Sequence, residues 1–303
     1  MELSARLEPD ELEGLESAVQ RALREEDERE LEVLGYGEIS CVLGLKARGG
    51  PVACKRLPPF ADARAFAAYR ACFDEYLATL AAADIGVLPS KLYAAPGPGD
   101  RLVAYCVQPW LRSASLAPAQ LARGGAPSRH VFVELLERSL AFVTPQHGLD
   151  AQLSNWAVLD GRPLYLDLTT PLLRDGRGRE RLDVSLFLAS LPWLLRGFVR
   201  RFLLGDLLEA YYTPRGVLLD VLANAIKEGL ADVLDELTAL ARDVAGPRVQ
   251  PALTAAETRA YYASDARLWA LLQRLRRLDR LWQRRVRRRC YPFLLPGKIE
   301  RRV

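Results

Sequence analysis

Residues 147–155 read His147-Gly148-Leu149-Asp150-Ala151-Gln152-Leu153-Ser154-Asn155, a polar, irregular stretch between a helical run (Val131 to Val143) and two short apolar segments. Those segments, Trp156 to Leu159 and Pro163 to Leu168, flank Asp160-Gly161-Arg162. An Asp-Gly pair between apolar runs predicts a β-hairpin. The second arm ends in Pro163-Leu164-Tyr165-Leu166-Asp167-Leu168-Thr169, so an acid closes an apolar strand. Such a carboxylate must find a partner or face water. A magnesium ion bridging nucleotide phosphates is one such partner, and a capped turn is another. The hairpin joins Asp167 to Asn155.

Working outward toward the N-terminus, Leu12, Leu15, Val19 and Leu23 recur at helical spacing between Glu11 and Arg24. Leu31 to Val42 and Leu43 to Leu57 are then broken by Gly35, Gly37 and Gly49-Gly50, the pattern of a three-stranded antiparallel meander. An alanine-rich helix from about Ala61 to Ala83 follows, with Phe66, Tyr69, Phe73 and Leu77 on one face. Two further strands, Leu88 to Ala94 and Arg101 to Gln108, complete a small α+β lobe of five strands and one helix. Pro109-Trp110 marks the passage to a mainly helical region, with helices expected over Val184 to Leu204, Pro214 to Leu240 and Ala255 to Cys290.

Phosphoryl transfer needs a cover over the phosphates, a fixed cation, oxygen ligands for magnesium and a carboxylate near the acceptor hydroxyl. Each is present in a consistent order, and the set resembles the protein kinase and aminoglycoside phosphotransferase superfamily. Gly35-Tyr36-Gly37-Glu38-Ile39-Ser40 is similar to the glycine loop over the phosphates, with two of its three glycines and Ser40 where the third would fall; an ordinary hairpin turn has the same composition. Val52-Ala53-Cys54-Lys55 resembles the strand whose lysine holds the α- and β-phosphates, in a chain with five lysines against 37 arginines. The resemblance implies a glutamate partner for Lys55 on the following helix. Glu75 is the one glutamate in that helix's body, with Asp74 and Asp62 as rivals. It also implies that Asp150 handles the acceptor hydroxyl, that Asn155 and Asp167 bind magnesium, and that the backbone near Val107 and Gln108 bonds the adenine edge. His147 departs from the family spacing by one residue and has a structural role in this reading.

The implied fold is a two-lobed protein-kinase-like α+β fold. A helical extension (1–30) precedes a five-stranded antiparallel lobe (31–109) and a mainly helical lobe (110–303) with its catalytic loop at 147–170. The implied activity is an ATP- or other nucleoside-triphosphate- and Mg2+-dependent phosphotransfer to a hydroxyl of a small molecule or natural product. After Asp167 the chain runs Asp-Leu-Thr-Thr-Pro-Leu-Leu-Arg-Asp-Gly-Arg-Gly-Arg-Glu-Arg-Leu-Asp, without the terminal motif of protein-kinase activation segments; its arginines could clamp an anionic substrate. The alternative is a pseudokinase, a kinase-like binding module without catalysis. The chain from Thr169 on resembles uncharacterised kinase-like proteins of actinobacteria, and the implied location is cytoplasmic.

Composition narrows the rest. The net charge is +4, the first thirty residues are acidic and the last thirty arginine-rich. Five scattered cysteines exclude a disulfide framework or zinc finger pattern. The longest apolar run, Val184 to Leu195, is too short to span a bilayer. From Leu268 to Arg289, the residues Trp269, Leu271, Leu272, Leu275, Leu278, Leu281 and Trp282 form an apolar stripe opposite arginines. Such a helix can dock on nucleic acid or anionic membrane, but the expected role is to close the core of the helical lobe.

Overall fold

The computed structural model describes residues 6–37, 40–188, 191, 196–197, 199, 201 and 204–295. Much of the helix expected over Val184 to Leu204 lies outside them, as do Glu38 and Ile39 of the glycine loop.

Helix α1 (Pro9–Glu25) opens on a capping box in which the Glu8 amide donates to Glu11 Oε2 at 3.0 Å. Five antiparallel strands follow: β1 (Glu32–Tyr36), β2 (Cys41–Ala47), β3 (Gly50–Arg56), β4 (Lys91–Pro96) and β5 (Leu102–Pro109), in the order β1-β2-β3-β5-β4. Helix α2 (Ala63–Ala82) is inserted between β3 and β4, with Asp62 accepting from the Ala65 amide at 2.8 Å as its N-cap.

Side chains of a strand alternate between faces, and here both faces are covered. Leu43, Val52, Cys54, Val103, Tyr105 and Val107 form one buried cluster with Leu12, Leu15, Val19 and Leu23 of α1. Ala104 and Cys106 belong to a second cluster, shared with Tyr69, Phe73, Tyr76 and Leu80 of α2 and with the helical region beyond. Each fully buried leucine or valine is worth about 1.5–3 kcal/mol, so the four apolar residues of α1 fasten it to the sheet.

The helical region contains α3 (Gly125–Phe142), α4 (Pro214–Lys227), α5 (Leu234–Ala245) and α6 (Ala255–Arg285), with short helical pieces at Ala117–Leu121, Ser185–Leu188 and Leu204–Glu209. The single helix expected over Pro214 to Leu240 is two helices. Gly229 takes φ +85°, a left-handed conformation that ends α4 before the chain restarts at Leu234. Strands β6 (Trp156–Leu159) and β7 (Arg162–Tyr165) form the expected hairpin, with Asp160 and Gly161 at φ 51° and 78°. The connection from α2 to β4 docks on this hairpin: the Tyr165 amide donates to Gly86 O at 2.8 Å, and the Leu88 amide to Tyr165 O at 3.0 Å. The architecture is mixed α+β, a five-stranded antiparallel sheet followed by helices, as the sequence implies.

Candidate active site

Lys55 and Asp167, 112 residues apart, meet in the cleft between sheet and helices. Lys55 Nζ donates to Asp167 Oδ1 at 2.8 Å, and the two side chains are 21% and 16% exposed. The same oxygen accepts from the Thr169 amide at 3.2 Å and Thr169 Oγ1 at 2.9 Å. Burial works to raise the Asp167 carboxyl, but Lys55 and Thr169 outweigh it and hold it below the ordinary carboxylate value. Asn155 reaches the same place through the hairpin, because the Leu166 amide donates to Asn155 O at 2.8 Å. Its Nδ2 donates to Asp150 O at 3.1 Å, and Asp150 Oδ1 lies 3.5 Å from the Gln152 amide. Lys55, Asp150, Asn155 and Asp167 are therefore neighbours.

The segment carrying Asp150 is fixed from below by α4. Asn224 Oδ1 accepts from the Ser154 amide at 3.1 Å, and its Nδ2 donates to Gln152 Oε1 at 3.2 Å. Gln152 Nε2 in turn donates to Asp220 Oδ1 at 3.3 Å. These positioning residues escaped the sequence reading. Their signal is a polar pair four residues apart inside the apolar run Val217 to Ile226. His147 stacks on Phe142, ring centroids 5.7 Å apart, in a structural setting.

Helix α2 contributes in a way the sequence did not suggest. Glu75 does not meet Lys55; its carboxylate takes Arg181, with both side chains over 40% exposed. Asp62 caps the helix, and Asp74 lies 3.9 Å from Arg70 on the surface. The physical reason is helical phase: α2 turns Tyr69, Phe73 and Tyr76 inward, which leaves Glu75 at the solvent edge. Tyr69 donates to Thr169 O at 2.9 Å and Tyr76 to Gly148 O at 3.1 Å. Two tyrosines on one face thus tie α2 to both loops of the site. Burial pushes both phenols well above their ordinary value, so they stay neutral donors.

Three arginines of the expected anion clamp are paired with carboxylates, and no such pair is seen for Arg177 among the described residues. Arg174 is occupied by Glu180 and Glu209, Arg179 by Asp175 and Arg181 by Glu75.

At the sheet, Gly35 lies in β1 beside a bulge, and the Gly37 amide donates to Ser40 O at 2.9 Å, closing a tight hairpin. Val107 is not an open edge. It is fully buried and sits between Cys54 of β3 and Lys91 of β4. Gln108 lies beyond the end of β4, and its side-chain Nε2 donates to Ser90 Oγ at 2.9 Å and Leu166 O at 2.8 Å. Strand alternation puts Gly44, Ala53 and Lys55 on the face toward the cleft. Trp110 lies against that face: a Cβ at Gly44 would come within 2.8 Å of its ring. Trp110, which in the sequence marks the passage to the helical region, thus covers the sheet at Gly44 on the Lys55 face.

Residues 14–280 match one family profile. The chain belongs to the Family of unknown function (DUF6206). No curated protein matches this DUF6206 chain. Solved structures similar to it include the complex of Neurospora crassa PAN2 (WD40-CS1) with PAN3 (pseudokinase and C-terminal part), at 13% identity and a TM-score of 0.33, covering 85% of this chain and 68% of that one. Another is a MAP kinase from Leishmania major, at 12% identity and a TM-score of 0.32, covering 84% of this chain and 99% of that one.

Proposed function

We propose that this DUF6206 protein binds a magnesium–nucleoside triphosphate, ATP by expectation, and transfers a phosphoryl group to a hydroxyl of a small molecule. The observation that carries the reading is the Lys55–Asp167 contact at 2.8 Å, with Asn155 joined to Leu166 beside it. Asp167 Oδ2 and Asn155 Oδ1 accept no hydrogen bond among the described residues, and two hard oxygens at one end of a hairpin suit magnesium. When bound there, the ion would neutralise phosphate charge.

The chain's own residues supply the rest of the reading. Lys55 binds the phosphates as a compact cation, released from Asp167 as the ligand arrives. Thr169 keeps Asp167 ionised and aimed. Asp150 accepts or orients the proton of the acceptor hydroxyl, and Asp220 and Asn224 hold its loop through Gln152 and Ser154. Gly37 and Ser40 shape the hairpin above the phosphates.

One observation favours a second reading, a kinase-like module that binds without catalysis. Trp110 rests on Gly44, on the flat face beside Lys55 where a base would stack.

Thermal unfolding with ATP, with and without magnesium, tests the proposal. A ligand at a hundred times its dissociation constant adds about 2.7 kcal/mol. The expected result is a magnesium-dependent rise in Tm, abolished by Asp167→Ala and retained by Asp150→Ala. Turnover in an acceptor screen should be lost with either variant. No shift at millimolar ATP would sink the phosphotransfer reading and leave a binding module whose ligand is not a nucleotide, and a shift without turnover on any acceptor would leave a nucleotide-binding module.

A further inference from the structure

The longest helix, α6, turns part of its expected apolar stripe outward: Trp269, Leu272 and Leu275 are half-buried, whereas its other members are exposed. Its buried positions include Gln273, Arg276 and Asp279, and its exposed ones include leucines. Leu271, Leu278, Leu281 and Trp282 are 46–62% exposed, and Val286 just beyond the helix is 57% exposed. At about 100° per residue, Leu271, Leu278 and Trp282 fall within about 40° of one another, on the side opposite Arg276. Exposed Arg267, Arg274 and Arg285 form a second line beside the first by the same phase. Between Arg267 and Arg289 there are ten arginines and a single acid, the buried Asp279.

This face is held in place. Arg284 donates to Leu23 O at 3.3 Å and Arg24 O at 3.2 Å and pairs with Glu26 at 2.7 Å, fastening the end of α6 to α1. Arg276 lies over the Phe293 ring from the buried side, 5.8 Å from its centroid. The apolar line therefore faces solvent by construction of the fold.

We infer that the exposed face of α6 is a docking surface for an anionic lipid bilayer, on which the helix lies in the plane of the interface. Charge complementarity selects anionic headgroups for the arginines. The apolar line selects lipid over nucleic acid, because a phosphate backbone gives exposed leucines and Val286 nothing to bury against. At an interface the leucines enter the acyl boundary, Trp282 sits at headgroup level and the arginines flank them. Among the described residues no helix is long and apolar enough to cross a membrane, so the contact is peripheral.

Flotation of the full chain with vesicles of phosphatidylcholine alone, or with 30% phosphatidylserine added, tests the inference. The expected result is at least tenfold stronger binding to the anionic vesicles, weakened by raised salt, with a blue shift of tryptophan emission. The surface pair Leu278→Asn with Trp282→Ala should cut binding at least tenfold, as should Arg274→Glu with Arg285→Glu, while unfolding midpoints and the magnesium–ATP shift stay as in the parent. Three outcomes overturn it: no binding to anionic vesicles, binding indifferent to Leu278→Asn with Trp282→Ala, or a dimer in sedimentation that this variant dissolves. Binding to duplex DNA or RNA that needs the arginines but not Leu278 would equally overturn it and assign the face to nucleic acid. None of these results bears on the nucleotide site.

Discussion

Lys55 and Arg56 are adjacent on β3, point to opposite faces of the sheet, and each finds a carboxylate at 2.8 Å, yet the two ion pairs are built for different purposes. Arg56 is 4% exposed and meets Glu16 of α1 through both Nε and Nη2, each at 2.8 Å. Tyr105 and Gln20 also donate to Glu16, and Arg56 Nη1 reaches Pro292 O at 3.3 Å. Both Glu16 oxygens and all three guanidinium nitrogens of Arg56 are used within the protein. Lys55, by contrast, has among the described residues a single hydrogen bond, to one oxygen of Asp167, and both side chains are partly open to water. A bidentate, sealed pair is costly to break and offers nothing to a ligand. A monodentate, half-open pair can exchange its partner for a phosphate or a metal. The difference between structure and site lies in how many bonds each charge keeps in reserve.

The largest expected effect breaks the sealed pair. Glu16→Ala leaves the Arg56 guanidinium buried and unpaired and should cost about 3–5 kcal/mol of unfolding free energy in urea. A loss under about 1 kcal/mol would show that water enters beneath α1 and that the contrast between the faces is false. Acid sharpens the same comparison. For Glu16, burial opposes ionisation but its bonds to Arg56 prevail, and Asp167 is likewise held low against burial by Lys55. Both folded carboxyls titrate below their ordinary 4.5 and 3.8, so the unfolded state binds more protons near pH 4. The stability they add is present above those values and lost as pH falls through the lower folded ones. Lys55→Met should remove the Asp167 share of this acid dependence and leave the Glu16 share. A parent and a Lys55→Met variant with identical acid profiles would mean that the cleft pair contributes nothing.

The sheet and the hairpin at Asp160-Gly161 are legible because each rests on a local rule, strand alternation or a turn dipeptide, whereas the grouping of Lys55, Asp150, Asn155 and Asp167 comes from the resemblance to the kinase superfamily and their roles remain part of the proposal. What stayed hidden depends on helical phase and on contacts distant in sequence. Glu16 reads as one of many acids in an acidic N-terminus, and only the register of α1 on the sheet sends it inward to Arg56. Glu75 was chosen by residue type, whereas the orientation of α2 places Tyr69 and Tyr76 at the site. The apolar stripe of α6 is expected to be buried because leucine usually is, and the fold turns Leu271, Leu278, Leu281 and Trp282 of it outward. Val107 is implied by the resemblance from its place between the lobes, which cannot reveal that β4 flanks it.

Smaller effects probe how α2 and Trp110 govern the open pair. Tyr76→Phe leaves the buried Gly148 carbonyl short of a donor and should cost about 1–2 kcal/mol, with turnover falling more than nucleotide binding because the Asp150 loop loosens. Equal losses in both would show that α2 only supports the fold. Trp110→Ala uncovers the face at Gly44 and should raise magnesium–ATP affinity about tenfold, or about 1.4 kcal/mol. A fall in affinity would instead make the indole a stacking platform for the base.

The smallest effect expected is at Glu75. Its pair with Arg181 is exposed on both sides, and such surface pairs are worth about 0–1 kcal/mol. Glu75→Gln should therefore leave the unfolding midpoint nearly unchanged and magnesium–ATP binding untouched, since Lys55 already has Asp167. Loss of nucleotide binding in this variant would be the informative surprise. It would mean that α2 rotates when ligand enters, trading the tyrosine contacts for a Glu75–Lys55 pair and freeing Asp167 for the metal. The Tyr69 and Tyr76 hydrogen bonds would then be the contacts such a rotation has to break.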